Sequence, residues 1–190
     1  MQYQQVAQSW HDYFLIAGAA AATLVGLLFV GLSLHLRAVL ALPEVRALAR
    51  ATLANFGLVL FVSLFAVVPE DARSVSVQME AFGAFSLVVI TPALIAAARS
   101  RSHTLRGSLL ILRFAISIGG YIATIGAGVL FANGEYNTAF ASLLASSIAL
   151  LLTSLRNTWD LLVSVGDATL AGESDGSGER SDASVPPRQR

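Results

Sequence analysis

Apolar residues fall along this chain in five long blocks separated by short polar connections. The first block is the clearest: from Tyr13 to Leu36, YFLIAGAAAATLVGLLFVGLSLHL, no formally charged residue occurs. A helix rises about 1.5 Å per residue, so roughly 20 apolar residues cross the hydrocarbon core of a bilayer. Weaker blocks of the same kind follow. Together they predict helices over 13–36, 51–68, 81–98, 111–132 and 138–155, the last with room to continue to 165. The expected fold class is all-α: a polytopic membrane protein whose five transmembrane helices occupy residues 1–165. From Gly166 the pattern stops. GDATLAGESDGSGERSDASVPPRQR is polar and rich in Gly and Ser, cannot bury a core, and is expected to be a disordered cytoplasmic tail over 166–190.

Composition agrees with the pattern. The chain has 190 residues, 55% hydrophobic and 13% charged, where soluble domains carry about 25% charged residues. Cysteine is absent, which excludes disulfides and thiolate chemistry. Formal net charge is zero, which points away from a nucleic-acid partner. Residues 1–12 contain no Lys or Arg, and Arg37 follows the first block directly, so that block is expected to stay as a membrane anchor rather than be cleaved as a signal peptide.

The basic residues, all arginine, set the expected orientation. Arg37, Arg46 and Arg50 follow the first block against Glu44 alone. Arg99, Arg101 and Arg106 lie between the third and fourth, Arg113 at the start of the fourth, and Arg156 closes the fifth. The connection after the second block has Glu70, Asp71 and Glu80 against Arg73, and the one after the fourth has no arginine. The positive-inside rule then places the N-terminus outside and the C-terminus in the cytoplasm. The arginine face is expected to meet membrane lipids with anionic headgroups.

Small residues mark expected packing faces. Gly18, Ala22 and Gly26 recur every four residues in the first block. Gly119, Ala123 and Ala127, joined by Gly126, do so in the fourth, and Ser142 and Ser146 share a face of the fifth. Such spacing lets helix backbones approach closely, within the chain, in a homo-oligomer or against another membrane protein. An interfacial polar cluster is expected from Arg156, Asn157, Trp159 and Asp160, with Arg37 and Arg113 on the same side. With the helix continuing, Arg156 and Asp160 are i,i+4 neighbours and are expected to be coupled, or Arg156 to bond carbonyls at a neighbouring helix end while Asp160 meets Arg37 or Arg113. Trp159 reads as an interfacial anchor. Asn55 is expected to bond a neighbouring helix, Asp12 to cap the first helix, Pro92 to kink the third and Asn133-Gly134 to form a tight turn.

The segment WHDYFLIAGAAAATLVGLLFVGLSLHLR resembles the opening of a family of small bacterial multi-pass membrane proteins of unknown function, some labelled "modulator of FtsH protease". The likeness extends to ALPEVRALA, LFAVVPED and SLRNTWDLL. It implies a bacterial inner-membrane protein and transfers no activity.

Catalysis is not expected. The predicted spans contain no Asp or Glu, and His11, His35 and His103 stand apart without metal-ligand spacing. No cofactor or metal is expected. The expected function is a non-catalytic structural, assembly or regulatory one. The alternative is an oligomeric channel or small transporter with a serine- and glycine-lined path.

Overall fold

The computed structural model describes residues 2–34, 43–68, 70–99 and 105–182. Among them every regular element is an α-helix: α1 (Gln2–Leu34), α2 (Pro43–Val67), α3 (Ala72–Arg99), α4 (Leu105–Ala132) and α5 (Tyr136–Asp182). Each contains a stretch long and apolar enough to cross a membrane: Gln2–Leu34, Val45–Val67, Ala72–Pro92, Leu112–Ala132 and Tyr136–Leu161. The chain is all-helical, with the make-up of a multi-pass membrane protein.

The helices outrun the apolar blocks, because backbone hydrogen bonding continues past the point where apolar composition ends. Residues 2–12 extend α1 instead of preceding it. Tyr3, Val6, Ala7, Trp10 and Tyr13 recur at helical spacing and pack on the core ahead of buried Phe14, Ala17 and Ala21. Asp12 therefore lies inside a helix and caps nothing; its carboxylate is exposed beside His11, at 3.3 Å. Pro43 opens α2, where its missing N–H has no intrahelical role, and the helix runs unbroken from there through Asn55. Pro92 is internal to α3. The backbone of α5 is helical to Asp182, through most of the segment expected to be disordered.

Two connections have clear physical causes. Asp71 caps α3: its carboxylate accepts the Ser74 hydroxyl at 2.7 Å and the Ser74 N–H at 3.3 Å. Those bonds to the charged form hold its carboxyl below the usual carboxylate range. The α4–α5 turn closes as expected at Asn133-Gly134. Gly134 takes the left-handed conformation (φ 82°), while Glu135 N–H reaches Leu130 O at 3.0 Å and Gly134 N–H reaches Phe131 O at 3.2 Å.

Packing places α2 centrally. It contacts α1, α3 and α5, while α3 packs on α4 and α4 on α5. The helices α2–α5 thus close a four-membered ring, and α1 lies outside it, mainly along α2 and partly along α5. Successive helices run antiparallel, as Gly18 against Ser63, Gly83 against Ile125 and Gly120 against Leu150 fix. Where α1 crosses the α4–α5 turn, an aromatic cluster locks it down. Tyr3 meets Tyr136 edge-on at 5.3 Å, Trp10 stacks on Phe140 at 6.1 Å, and Phe131 meets Phe140 edge-on at 5.0 Å. The outward faces carry exposed Ile16, Leu27, Phe85, Val88, Ile122 and Leu152, as expected where lipid replaces water as the solvent.

Charge separates along the bundle. At the end where α2 and α4 begin lie Arg46, Arg50, Arg113 and Arg156, with Asp160. At the opposite end lie Glu70, Asp71, Glu80 and Glu135, with Arg73.

Candidate functional site

The apolar helices turn an unusual amount of polar chemistry inward. A lipid-facing hydroxyl or amide would lack a partner, so such groups favour the bundle interior. Near the basic end this produces a buried polar layer formed by α2, α4 and α5. On α2 it contains Thr52 and Asn55, on α4 Ser117 and Tyr121, and on α5 Ser154 and Asn157; each is almost wholly excluded from the surface.

Asn55 is the hub. Its Oδ1 accepts the Tyr121 hydroxyl at 2.5 Å, and its Nδ2 donates to Ser117 Oγ at 3.0 Å. Ser117 in turn donates to the Arg113 carbonyl at 3.2 Å. The amide thus bridges two successive turns of α4 and ties α2 to it across the ring. Thr52 donates back to Leu48 O at 2.8 Å. On the α5 side, Ser154 Oγ and Asn157 Oδ1 are buried and find no hydrogen-bond partner among the described residues. The α4–α5 register, fixed by Gly120 on Leu150 and by Arg113 on Asp160, sets them at about the depth of Ser117. An unpartnered buried acceptor is costly, and room for water or a polar ligand is the usual resolution.

The layer is bounded toward the basic end by an ion pair. Arg113 Nη1 lies 2.5 Å from Asp160 Oδ2, with the arginine side chain 15% exposed and the aspartate 41%. Eight residues separate Arg113 from Tyr121, about 12 Å along α4. The members of the layer itself are neutral hydroxyls and amides, suited to hydrogen bonding rather than to nucleophilic or proton-transfer chemistry. Among the described residues, no three of His, Asp and Glu gather as a metal ion would require.

The expected packing positions divide. Gly18 is in close contact, since a Cβ there would stand 2.9 Å from Ser63 Cβ. Ala22 and Gly26 are exposed, and nothing lies within 4 Å of a Cβ at Gly26. On α4, Ala127 is buried and Ala123 half-buried, but Gly119 and Gly126 face open space. The tight approaches occur instead at Gly83, Gly120 and Gly128. An added Cβ would meet Ile125 at 2.5 Å, Leu150 at 2.9 Å and the Ser76 carbonyl at 2.8 Å respectively. Gly120 and Gly128 bracket Thr124 at four-residue spacing. A small stripe that also carries polar residues was the available signal for the inward face. On α5, Ser146 is buried and bonds its own helix at Leu143 O, while half-buried Ser142 reaches Ala123 O at 3.4 Å.

The polar cluster is also rearranged. Asn157 is buried, Trp159 and Arg156 are exposed, and Asp160 pairs with Arg113 rather than with Arg156. Arg37, His35 and His103 lie outside the described residues. Asn55 bonds a neighbouring helix as expected. Tyr121 and Ser154 are additions that apolar patterning hid, since each sits in a block read as transmembrane.

No family model, curated protein or solved structure matches this chain.

Proposed function

We propose that the chain is an integral protein of the bacterial inner membrane with a non-catalytic structural, assembly or regulatory role, its N-terminus outside and its C-terminus in the cytoplasm. The observation that carries the reading is the character of the interior. Close glycine contacts and neutral polar pairs brace one helix to the next, while among the described residues charge is confined to the two ends. Such an interior holds a scaffold together and offers no paired acid and base. Orientation rests on Arg46, Arg50, Arg113 and Arg156 sharing one end. The bacterial setting rests on the sequence resemblance of residues 10–37.

Phosphatase fusions test the orientation. A periplasmic alkaline phosphatase joined after Glu135 is expected to be active and one joined after Arg190 inactive; the reverse pattern would overturn it. The second reading, an oligomeric channel or small transporter, is favoured by the unpartnered Ser154 and Asn157 within the polar layer. Reconstitution into liposomes separates the two. Ion or solute flux above that of empty vesicles would support a path, and a tight bilayer with a defined oligomer would support the scaffold.

A further inference from the structure

We infer that Arg156 and Trp159 form a binding site for the phosphate of an anionic phospholipid, with one acyl chain lying along the outer face of α5. This deepens the proposed function and rests on reading Tyr136–Leu161 as a membrane span.

The argument starts from helix geometry. At 100° per residue, Ile148, Leu152, Leu155, Arg156, Trp159 and Val163 fall within an arc of about 100° on α5. The whole arc faces outward: Leu152 is 63% exposed and Trp159 68%, with Ile148, Leu155, Arg156 and Val163 exposed beside them. The face is therefore an apolar strip that carries a guanidinium and an indole between Leu155 and Val163. Arg156 lies within the apolar stretch Tyr136–Leu161, toward its basic end. A cation at that depth on a lipid-facing surface needs a counter-charge or must reach for the headgroups.

Among the described residues no carboxylate forms an ion pair with Arg156. Asp160, one turn on, is held by Arg113 across the α4–α5 interface, so the three groups carry one net positive charge, and it sits on the exposed Arg156. Arg46 and Arg50 are also exposed at this end, but Arg156 is the one with a tryptophan on its own face. A phosphate oxygen can accept from the guanidinium in a bidentate arrangement. The indole N–H of Trp159 is a second donor on the same face, and tryptophan is enriched at the membrane interface.

Trp159 is a built-in reporter, since the chain has two tryptophans and Trp10→Phe leaves one. The single-tryptophan protein would be reconstituted in phosphatidylcholine vesicles holding a minor fraction of lipid brominated near the headgroup end of its chains. Brominated phosphatidylglycerol is expected to quench Trp159 more than brominated phosphatidylcholine. The relative association constant should be about three- to five-fold in its favour at low salt, the advantage of one arginine near the surface. Arg156→Gln should remove the preference, Arg156→Lys should retain part of it, and Arg73→Gln, at the other end, should leave it unchanged. Equal quenching by the two lipids would overturn the site while leaving the span reading intact. A preference that survives Arg156→Gln would overturn the assignment to Arg156. No quenching by either lipid would overturn the span reading itself, and the site with it.

Discussion

Asp160 Oδ2 lies 2.5 Å from Nη1 of Arg113, across the interface between α4 and α5, while Arg156, one turn back on the same helix, stays exposed and forms no ion pair among the described residues. The choice has a physical reason. Arg113 is largely enclosed and would otherwise be an uncompensated charge at the edge of the apolar bundle, whereas Arg156 can reach the headgroup region unaided. Replacing Arg113 or Asp160 by alanine is expected to lower stability by about 1–2 kcal/mol, between the values for exposed and fully buried pairs. The double mutant should lose less than the sum, and Arg156→Ala should be near neutral and uncoupled to Asp160. Denaturation in mild detergent measures all four, and coupling of Asp160 to Arg156 instead would refute the arrangement.

The Asn55 hub predicts an ordering of effects. Tyr121→Phe removes one bond to a buried amide and is expected to cost about 0.5–1.5 kcal/mol. Asn55→Ala removes both cross-helix bonds and leaves Tyr121 and Ser117 without them, so it should cost more than Tyr121→Phe. In the Asn55→Ala background, Tyr121→Phe should then have little further effect. Thermal unfolding of the single and double mutants checks the non-additivity.

The glycines of α4 predict opposite outcomes for chemically identical substitutions. At Gly128 a Cβ would stand 2.8 Å from the Ser76 carbonyl, and the Gly128 carbonyl accepts the Ser76 hydroxyl at 2.8 Å. Gly128→Ala must push α3 and α4 apart and is expected to destabilise by about 1–3 kcal/mol. Gly119→Ala and Gly126→Ala meet nothing within 4 Å and should be neutral or slightly stabilising through helix propensity. Melting temperatures of the three variants decide it.

Asp71 predicts an acid-sensitive contribution. Its carboxyl is held below the usual range by the bonds from Ser74. A group whose pKa is depressed on folding contributes stability above its unfolded pKa, about 4, and loses it as the pH falls through the lower folded value. Asp71→Ala should therefore lower the melting temperature at neutral pH, and the gap to the parent should close as the pH is taken below 4. Ser74→Ala should reproduce part of the effect. A gap independent of pH would rule out the charged cap.

Much of this molecule is legible in residue pattern because a bilayer imposes a length and a polarity on every span. The five apolar blocks gave five helices, Asn133-Gly134 gave a turn whose left-handed residue only glycine adopts freely, and Asn55 was marked by the scarcity of amides in such blocks. Apolarity does not locate helix ends, so Gln2–Asp12 read as a polar approach although its aromatic residues dock it to the core. It also does not fix rotation about a helix axis. In α4 the stripe through Gly119, Ala123 and Ala127 and the stripe through Gly120, Thr124 and Gly128 have the same spacing, and only the contacts with Leu150, Ser76 and Glu80 select the second. Asp160 had three candidate partners, and the register of α4 against α5 chose Arg113. Span number and end-to-end charge belong to local composition, whereas the inward face and the ion-pair partner belong to side chains far apart in sequence, which meet only after the helices pack.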